Sequence, residues 1–223
     1  MQVVKKFPDF SFEESFWRQG IGTVVGVDEV GRGSLAGPVV AGAVFIKTPA
    51  SKEAILKLGI DDSKRLSAGK RRALAKIIPK YFNSAIGQAS VEEIDTLGIV
   101  RATGRAMRRA IIRIMNSELG IMNGKSYFII IDGYKMKHLP GGLRRQLNII
   151  KGDQKSVSIA AASIMAKVYR DRLMANLSKQ FPVYKWGRNK GYGTKLHIKA
   201  LGKYGCCVLH RSVFRLPVPF GFE

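Results

Sequence analysis

Three apolar segments of this 223-residue chain each end in, or lead into, a carboxylate. The carboxylates are Asp28 and Glu29 after residues 23–27, Asp132 after residues 127–131, and Asp153 shortly after residues 147–150. A buried carboxylate is costly unless a cation meets it. Acids are also scarce here, with 16 Asp and Glu against 38 Lys and Arg. The pattern therefore predicts a cation site that is held against a polyanion.

Carboxylate oxygens favour Mg²⁺ or Mn²⁺ over zinc. If the strands before Asp28 and Asp132 are parallel neighbours, their carboxylates meet at the carboxyl edge of the sheet. Asp153 precedes a predicted helix and can approach that edge, and Glu29 can reach a second ion or a water. Two ions about 4 Å apart would stabilise both the attacking and the leaving oxygen of a phosphodiester. For any single acid a structural role, such as a helix cap or a turn, is the alternative.

The pattern of apolar residues predicts an α/β fold with a mixed five-stranded sheet flanked by helices. The predicted strands are residues 23–27, 39–46, 84–89, 127–132 and 147–150. The predicted helices are residues 10–18, 63–81, 91–115, 156–177 and 194–204, with Ser67 capping the main part of the second. Residues 180–193 are expected to form a loop, and residues 213–223 a tail that contains proline.

The charge of the chain points to a polyanionic partner. The formal net charge is +22 and the isoelectric point is about 10.3, which is typical of nucleic-acid-binding proteins. A merely basic protein or a ribosomal component is the alternative. The helix at 91–115 presents one arginine-rich face, which either is solvated or contacts phosphates. This face consists of Arg101, Arg105, Arg108, Arg109 and Arg113.

Membrane and secretory functions are not expected. No apolar run approaches the roughly 20 residues of a membrane helix, and the first residues lack the apolar core of a signal peptide. The two cysteines, Cys206 and Cys207, are adjacent, so they form neither a disulfide framework nor a zinc motif. We therefore expect a cytoplasmic protein without a membrane partner, and a monomer.

Two glycine-containing segments could read a sugar. Gly31, Arg32 and Gly33 follow the first acids directly, and glycines let backbone groups approach a ligand closely. Such groups could hydrogen-bond the 2′-hydroxyl that distinguishes RNA from DNA. Residues 189–194 combine Lys190, two glycines and Tyr192 in a similar arrangement. A packed loop anchor is the alternative for Tyr192.

Taken together, these segments resemble the bacterial type 2 ribonuclease H (ribonuclease HII) family. The matching segments, in family order, are residues 26–33, 62–64, 131–133, 151–156, 160–168 and 190–194. The resemblance covers about residues 20–215. It implies a ribonuclease H-like fold, with a catalytic domain at residues 1–180 and a helical extension at residues 181–223 that packs on it and contributes to substrate binding.

The resemblance also implies an activity. Such enzymes are metal-dependent endoribonucleases that cleave RNA in RNA–DNA hybrids and at single ribonucleotides in duplex DNA. Cleavage would fall 5′ to the ribonucleotide and leave 3′-hydroxyl and 5′-phosphate ends.

Several residues match the functional positions of the family. Asp28, Glu29, Asp132 and Asp153 match its metal-binding carboxylates, which implies two divalent cations, Mg or Mn. Gly31, Arg32 and Gly33 match the motif that reads the ribose 2′-hydroxyl, and Tyr192 matches the ring that packs on the sugar. Lys64, Lys155 and Lys190 are our candidates for binding the flanking phosphates.

Two departures and two rival functions complete the hypothesis. Val30 and Ser34 stand where the family usually has Ala and Pro, and we expect Val30 to tighten the turn and Ser34 to loosen it. Residues 210–214 also match the family only loosely. A type 3 ribonuclease H, which acts on hybrids only, is the nearest rival, although Gly31-Arg32-Gly33 favours type 2. The other rival is a non-catalytic nucleic-acid-binding protein, which would gain nothing from acids at three strand ends.

Overall fold

A mixed five-stranded sheet of spatial order β3-β2-β1-β4-β5 forms the centre of the molecule. The computed structural model describes residues 7–117 and 126–214. The strands are β1 (Thr23–Val30), β2 (Val39–Ile46), β3 (Phe82–Ala89), β4 (Tyr127–Asp132) and β5 (Gln146–Ile149). The helices are α1 (Ser11–Trp17), α2 (Lys52–Leu56), α3 (Ala68–Tyr81), α4 (Val91–Leu97), α5 (Ile99–Ser117), α6 (Val157–Gln180), α7 (Trp186–Asn189) and α8 (Lys195–Tyr204). The predicted mixed sheet is confirmed.

The central pair of strands is parallel, as the hypothesis of converging acids required. β1 pairs in parallel with β4, where Val27 lies opposite Ile131, and β4 pairs in parallel with β5. β1 is longer than predicted because its antiparallel pairing with β2 continues through Asp28 and Glu29. Asp28 and Asp132 therefore follow paired residues at the same edge of the sheet.

Helices cover both faces of the sheet. On one face α5 buries an apolar stripe that includes Met107, Ile111 and Ile114. On the other face α6 packs so closely onto β1 and β2 that a Cβ atom at Gly26 or Gly42 would overlap the α6 backbone. This close approach brings the beginning of α6 to the edge of the sheet that carries the acids.

The single long helix predicted at residues 91–115 is wrong. Gly98, with φ of +77°, separates α4 from α5. The backbone N–H of Gly98 donates to Ile94 O and completes the hydrogen bonds of α4. The positive φ of Gly98 then turns the chain out of the helix. At its start, α4 is capped by reciprocal hydrogen bonds between Ser90 and Glu93.

Other boundaries differ less. The helix predicted from residue 63 begins at Ala68, with Ser67 as its N-cap, which accepts a hydrogen bond from Lys70 N. The loop predicted at residues 180–193 contains α7 and a 3₁₀ turn. Most of the predicted tail, residues 215–223, lies outside the described residues.

A separate apolar cluster joins the C-terminal segment to the rest of the fold. Tyr184, Trp186 and Leu201 are buried against Met174 of α6 and Ala36 of the loop before β2. This contact holds the residues that follow α6 beside the turn that ends β1. Across the described ranges, no helix is long and apolar enough to cross a membrane.

Candidate metal and nucleic-acid site

Three carboxylates converge at the sheet edge. Asp28, Asp132 and Asp153 each offer an oxygen, and these oxygens all lie within 4.8 Å of one another. Asp28 is 4% exposed and Asp153 is 2% exposed, while Asp132 is half-buried. The strands β1 and β4 supply two of the acids, and the 3₁₀ turn Gly152–Gln154 that precedes α6 supplies the third.

The electrostatics of this cluster favour a cation. Burial raises the pKa of Asp28 well above its ordinary value, and the charges of Glu29 and Asp132 raise it further. Burial and then the charge of Asp132 raise the pKa of Asp153 to about 6, although Lys64 opposes this. Buried carboxylates that repel one another are what a divalent cation stabilises, so the donor set fits Mg²⁺ or Mn²⁺.

Backbone hydrogen bonds orient two of these acids. The N–H of Gly152 donates to Asp132 Oδ1 at 2.6 Å, which ties the end of β4 to the turn that carries Asp153. The N–H of Glu29 donates to Asp28 Oδ1 at 2.7 Å. The backbone thus holds Asp28 and Asp132 in place, whereas the Lys64 side chain contacts Asp153.

Glu29 lies beside the cluster but is turned toward the glycine turn. Its Oε1 lies 3.1 Å from Arg32 Nη1, and it is not a member of the group of three. Burial raises the pKa of Glu29, Arg32 lowers it, and the charge of Asp132 raises it again. Because Glu29 follows Asp28 directly in β1, it lies next to the cluster.

The turn after β1 is shaped by an arginine beneath it. Gly31 has φ of +88°, and a Cβ atom there would overlap the guanidinium of Arg170. Ser34 is fully buried; its Oγ donates to Gly31 O at 2.9 Å and accepts from Arg170 Nη2 at 2.7 Å. Our expectation that Ser34 loosens the turn is wrong, because these bonds fix it.

Two buried arginines hold the carbonyl groups of this loop. Arg170 donates to the carbonyl oxygens of Ala36, Pro38 and Lys190 at 2.9–3.1 Å. Arg211 donates to the carbonyl oxygens of Arg32 and Gly37 at 2.8 Å. Neither forms an ion pair with a carboxylate in the described part of the chain.

Sequence reasoning missed both arginines. Arg170 is flanked by Asp171 and Arg172 on a long helix, and such a run of charges is typical of an exposed helix face. The only available signal was the position of Arg170 among apolar residues at helical spacing, such as Ala166 and Met174.

Tyr192 lies against the same arginine. Its half-buried ring has Arg170 Cζ at 5.6 Å and Lys167 Nζ at 5.9 Å from the centroid. The preceding Gly191 accepts a hydrogen bond from Leu35 N at 2.8 Å, so this segment is joined to the loop that follows Gly33. The structure therefore brings the two glycine-containing segments of the sequence together.

The three candidate lysines occupy different surroundings. Lys64 Nζ lies 3.3 Å from Asp153 Oδ2 and its side chain is 76% exposed. Lys155 is exposed, and Lys190 folds back so that its Nζ donates to Gly187 O. The described structure thus brings only Lys64 into contact with the carboxylates.

A further acid lies near the cluster. Asp62 is buried, and its Oδ2 accepts a hydrogen bond from Gln154 Nε2 at 3.2 Å. Its charge also contributes to the raised pKa of Asp153. The residues before Lys64 therefore contribute to the electrostatics of the site.

Comparison with known proteins assigns the fold and then the family. The ribonuclease HII of Archaeoglobus fulgidus, solved in complex with PCNA, superposes with a TM-score of 0.63 at 26% identity, over 88% of this chain and 97% of that one. The architecture is therefore that of the ribonuclease H2 and H3 group.

The family follows from the sequence relatives. The family model described as Ribonuclease HII matches residues 25–216. The ribonuclease HII of Ehrlichia chaffeensis is 45% identical over 210 residues, covering 93% of this chain and 94% of the relative. That of Fusobacterium nucleatum is 49% identical over 195 residues, covering 86% and 85%. The chain belongs to the ribonuclease HII family, and it is a metal-dependent endoribonuclease that hydrolyses RNA in RNA–DNA hybrids.

Proposed function

We propose that this enzyme cleaves on the 5′ side of a ribonucleotide, both in RNA–DNA hybrids and at single ribonucleotides embedded in duplex DNA. The products are 3′-hydroxyl and 5′-phosphate ends. The observation that carries the proposal is the continuity of β1 with the glycine turn. Asp28 and Glu29 lie within the strand and Gly31 follows it, so a carboxylate cluster and a candidate sugar site are adjacent.

The carboxylates are proposed to hold two divalent cations, Mg or Mn. Asp28 and Asp132 would contact both, while Glu29 and Asp153 would complete their coordination. When bound, such ions lower the pKa of water and stabilise the charge that develops at the phosphodiester oxygens. Glu29 and Asp153, which pair with Arg32 and Lys64, would be among the residues that hold the cations, and Lys64 would contact phosphate.

The turn at residues 31–33 is proposed to recognise the ribose 2′-hydroxyl. Arg170 and Arg211 draw the carbonyl groups of the surrounding loop inward. The backbone N–H groups of Arg32 and Gly33 have no acceptor within the described ranges. They are therefore available to a hydroxyl oxygen, which an all-DNA strand lacks at that position.

The segment after α6 is proposed to complete the substrate site. In this proposal residues 1–180 form the catalytic domain and residues 181–223 an extension that packs on it. Tyr192 would pack against the sugar that the turn recognises. Lys155 and Lys190 would contact phosphates on either side, with less specific roles than Lys64 because they contact none of the three carboxylates.

The deciding experiment compares duplexes that differ in one hydroxyl group. Duplex DNA with a single ribonucleotide should be cut 5′ to that nucleotide in the presence of Mg²⁺ or Mn²⁺, and the matched all-DNA duplex should not be cut. A site that expects a hydroxyl leaves its own groups unpaired when the hydroxyl is missing, which can cost orders of magnitude in rate.

Two outcomes would reject parts of this proposal. Equal cleavage of both duplexes would show a nuclease that does not sense the sugar. Cleavage of a continuous hybrid without cleavage at a single ribonucleotide would show the type 3 specificity instead.

A further inference from the structure

A second surface beside the catalytic edge is cationic. A cleft of about 790 Å³ lies between the first half of α5 and residues 135–138, the segment that follows β4. Its lining contributes five Lys and Arg side chains and no acid. The cations are Arg101, Arg105, Arg108, Lys135 and Lys137. The surface thus has the opposite charge to the carboxylate cluster.

The cleft lies close to the site in the chain. Lys135 and Lys137 follow Asp132 by three and five residues. The segment between them and β4 includes Tyr134, which is 74% exposed. A polyanion that reaches Asp132 therefore has a short path to these lysines.

The wall formed by residues 135–138 is held rigidly. The buried Gln146 accepts a hydrogen bond from Met136 N at 2.9 Å and donates to Met136 O at 3.0 Å. From the other wall, Arg108 Nη1 donates to His138 O at 2.7 Å. The two walls are thus connected before any ligand arrives, so binding need not order them.

The arginines of α5 separate into two groups. Arg109 pairs with Glu93 through both terminal guanidinium nitrogens, Nη1 and Nη2, and Arg113 donates to Ile86 O, so these side chains are engaged within the fold. Arg105 also pairs with Glu93. In contrast, the exposed side chains of Arg101, Lys135 and Lys137 form no hydrogen bond or ion pair anywhere in the described residues.

We propose that this cleft binds the sugar-phosphate backbone of the substrate duplex on one flank of the cleavage site. The proposal rests on the function proposed above, because the ligand is the same nucleic acid. Arg101 and Arg108 are seven residues apart on α5, or about 10 Å. This distance corresponds to about three nucleotides of one strand. Two cations at this spacing, neither of which forms an ion pair in the described residues, suit phosphates about three nucleotides apart on one strand.

The test is a comparison of two triple variants of equal charge. The first replaces Arg101, Lys135 and Lys137 with Gln. The control replaces Lys57, Arg72 and Lys76 with Gln. These residues are exposed, and their side chains have no partners in the described chain. They lie on the α2–α3 side of the molecule, which packs with α6 on the opposite face of the sheet. Fluorescence anisotropy in EDTA, over a salt series, measures binding to a 30-base-pair RNA–DNA hybrid without cleavage.

We expect the cleft variant to lose at least about tenfold in affinity at 0.1 M salt, and the slope of log K against log salt to fall by about 2 to 3. The control should lose less than about threefold. A charge-preserving variant, Arg101→Lys with Lys135→Arg and Lys137→Arg, should bind like the wild type. Trimming the duplex on the flank that occupies the cleft should remove the difference between wild type and the cleft variant.

An equal loss of affinity in both Gln triples, or an unchanged salt slope in the cleft variant, would overturn the proposal. These outcomes are separable from a failure of the proposed function. Binding is measured without metal, whereas the proposed function is decided by whether the wild type cuts at a single ribonucleotide.

Discussion

At the scale of the residue, Asp28 and Asp132 accept hydrogen bonds from the main chain, so their charge and their placement can be separated. Asp132 accepts the N–H of Gly152 through Oδ1. An Asn side chain keeps a carbonyl oxygen for that bond and replaces the other oxygen with an uncharged NH2 group, so the negative charge is lost. Substitution by Asn is therefore a test of cation binding more than of local structure.

We expect Asp132→Asn to lose cleavage of hybrid by at least about 100-fold, because a lost ion ligand removes charge stabilisation at the reacting phosphate. Hybrid binding should change little, since the exposed lysines and arginines still contact phosphates. Cleavage under saturating Mg²⁺ and anisotropy in EDTA measure the two quantities.

Glu53→Gln, which alters an exposed acid of α2, is the matched control and should keep wild-type cleavage. Substantial Mg²⁺-dependent turnover by Asp132→Asn would remove Asp132 from the proposed metal site.

At the scale of the element, α6 connects the acids to the turn at residues 31–33. Its first residues pack on β1 next to Asp28, and Arg170, about three and a half turns further along, supports Gly31 and Tyr192. One helix therefore sets the relative positions of the carboxylate cluster and of both glycine-containing segments. This placement requires a guanidinium, because several carbonyl groups that point in different directions must be satisfied at once.

We expect Arg170→Lys to lower the free energy of unfolding by about 2–4 kcal/mol, because an ammonium cannot reach all of these carbonyl oxygens and buried acceptors left unpaired are costly. Cleavage at a single ribonucleotide should fall as well, because the turn is no longer fixed. Urea unfolding and the cleavage assay measure the two effects.

Arg172→Lys offers a control on the same helix, since Arg172 is exposed. Equal stability of the two variants would show that Arg170 does not hold the loop.

At the scale of the whole molecule, the C-terminal segment closes over the turn through a buried histidine pair. Cys207 N donates to His210 Nδ1, so neutral His210 carries its proton on Nε2, which lies 3.1 Å from His197 Nε2. The indole N–H of Trp186 donates to His197 Nε2 at 3.0 Å. His197 in turn donates from Nδ1 to Tyr192 O at 3.0 Å. The neighbouring Arg211 donates from its backbone to Leu35 O. Neutral imidazoles thus join this segment to the proposed sugar site.

This network predicts a loss of stability in acid. Burial and the charge of His197 lower the pKa of His210 to about 4, against 6.5 for an ordinary histidine. Between these values the unfolded chain binds more protons, so stability falls as the pH decreases from 6.5 to 4, by about 2 kcal/mol at pH 5. His197, whose pKa burial also lowers, acts in the same direction. Tyr184 and Cys207, which face the pair, have raised pKa values and stay uncharged in this range.

Thermal unfolding between pH 7 and pH 5 measures this effect. The melting temperature of His210→Gln should vary less with pH than that of the wild type. His138→Asn, which removes an exposed imidazole, should keep the wild-type dependence. An identical pH dependence in His210→Gln and wild type would contradict the role assigned to the pair.

The sequence by itself determined the strands and their mixed arrangement, because apolar runs report which segments are buried. It also determined the family. It also indicated that Asp28 and Asp132 meet, since both follow apolar strands and the carboxyl ends of parallel strands share an edge. The resemblance to ribonuclease HII needed only the order of short segments along the chain.

Only the tertiary structure decided which charges are buried and which are free. Arginine is usually an exposed residue, yet Arg170 and Arg211 are buried and donate to carbonyl groups of distant loops. The arginines of α5 likewise separate into engaged and free side chains only because Glu93 and β3 lie beside the helix and contact some of them. The same local sequence can leave a charged side chain solvated, paired or buried, because the partners of that side chain come from elsewhere in the chain. The sequence therefore located the acids, whereas the fold determined what holds the turn at residues 31–33.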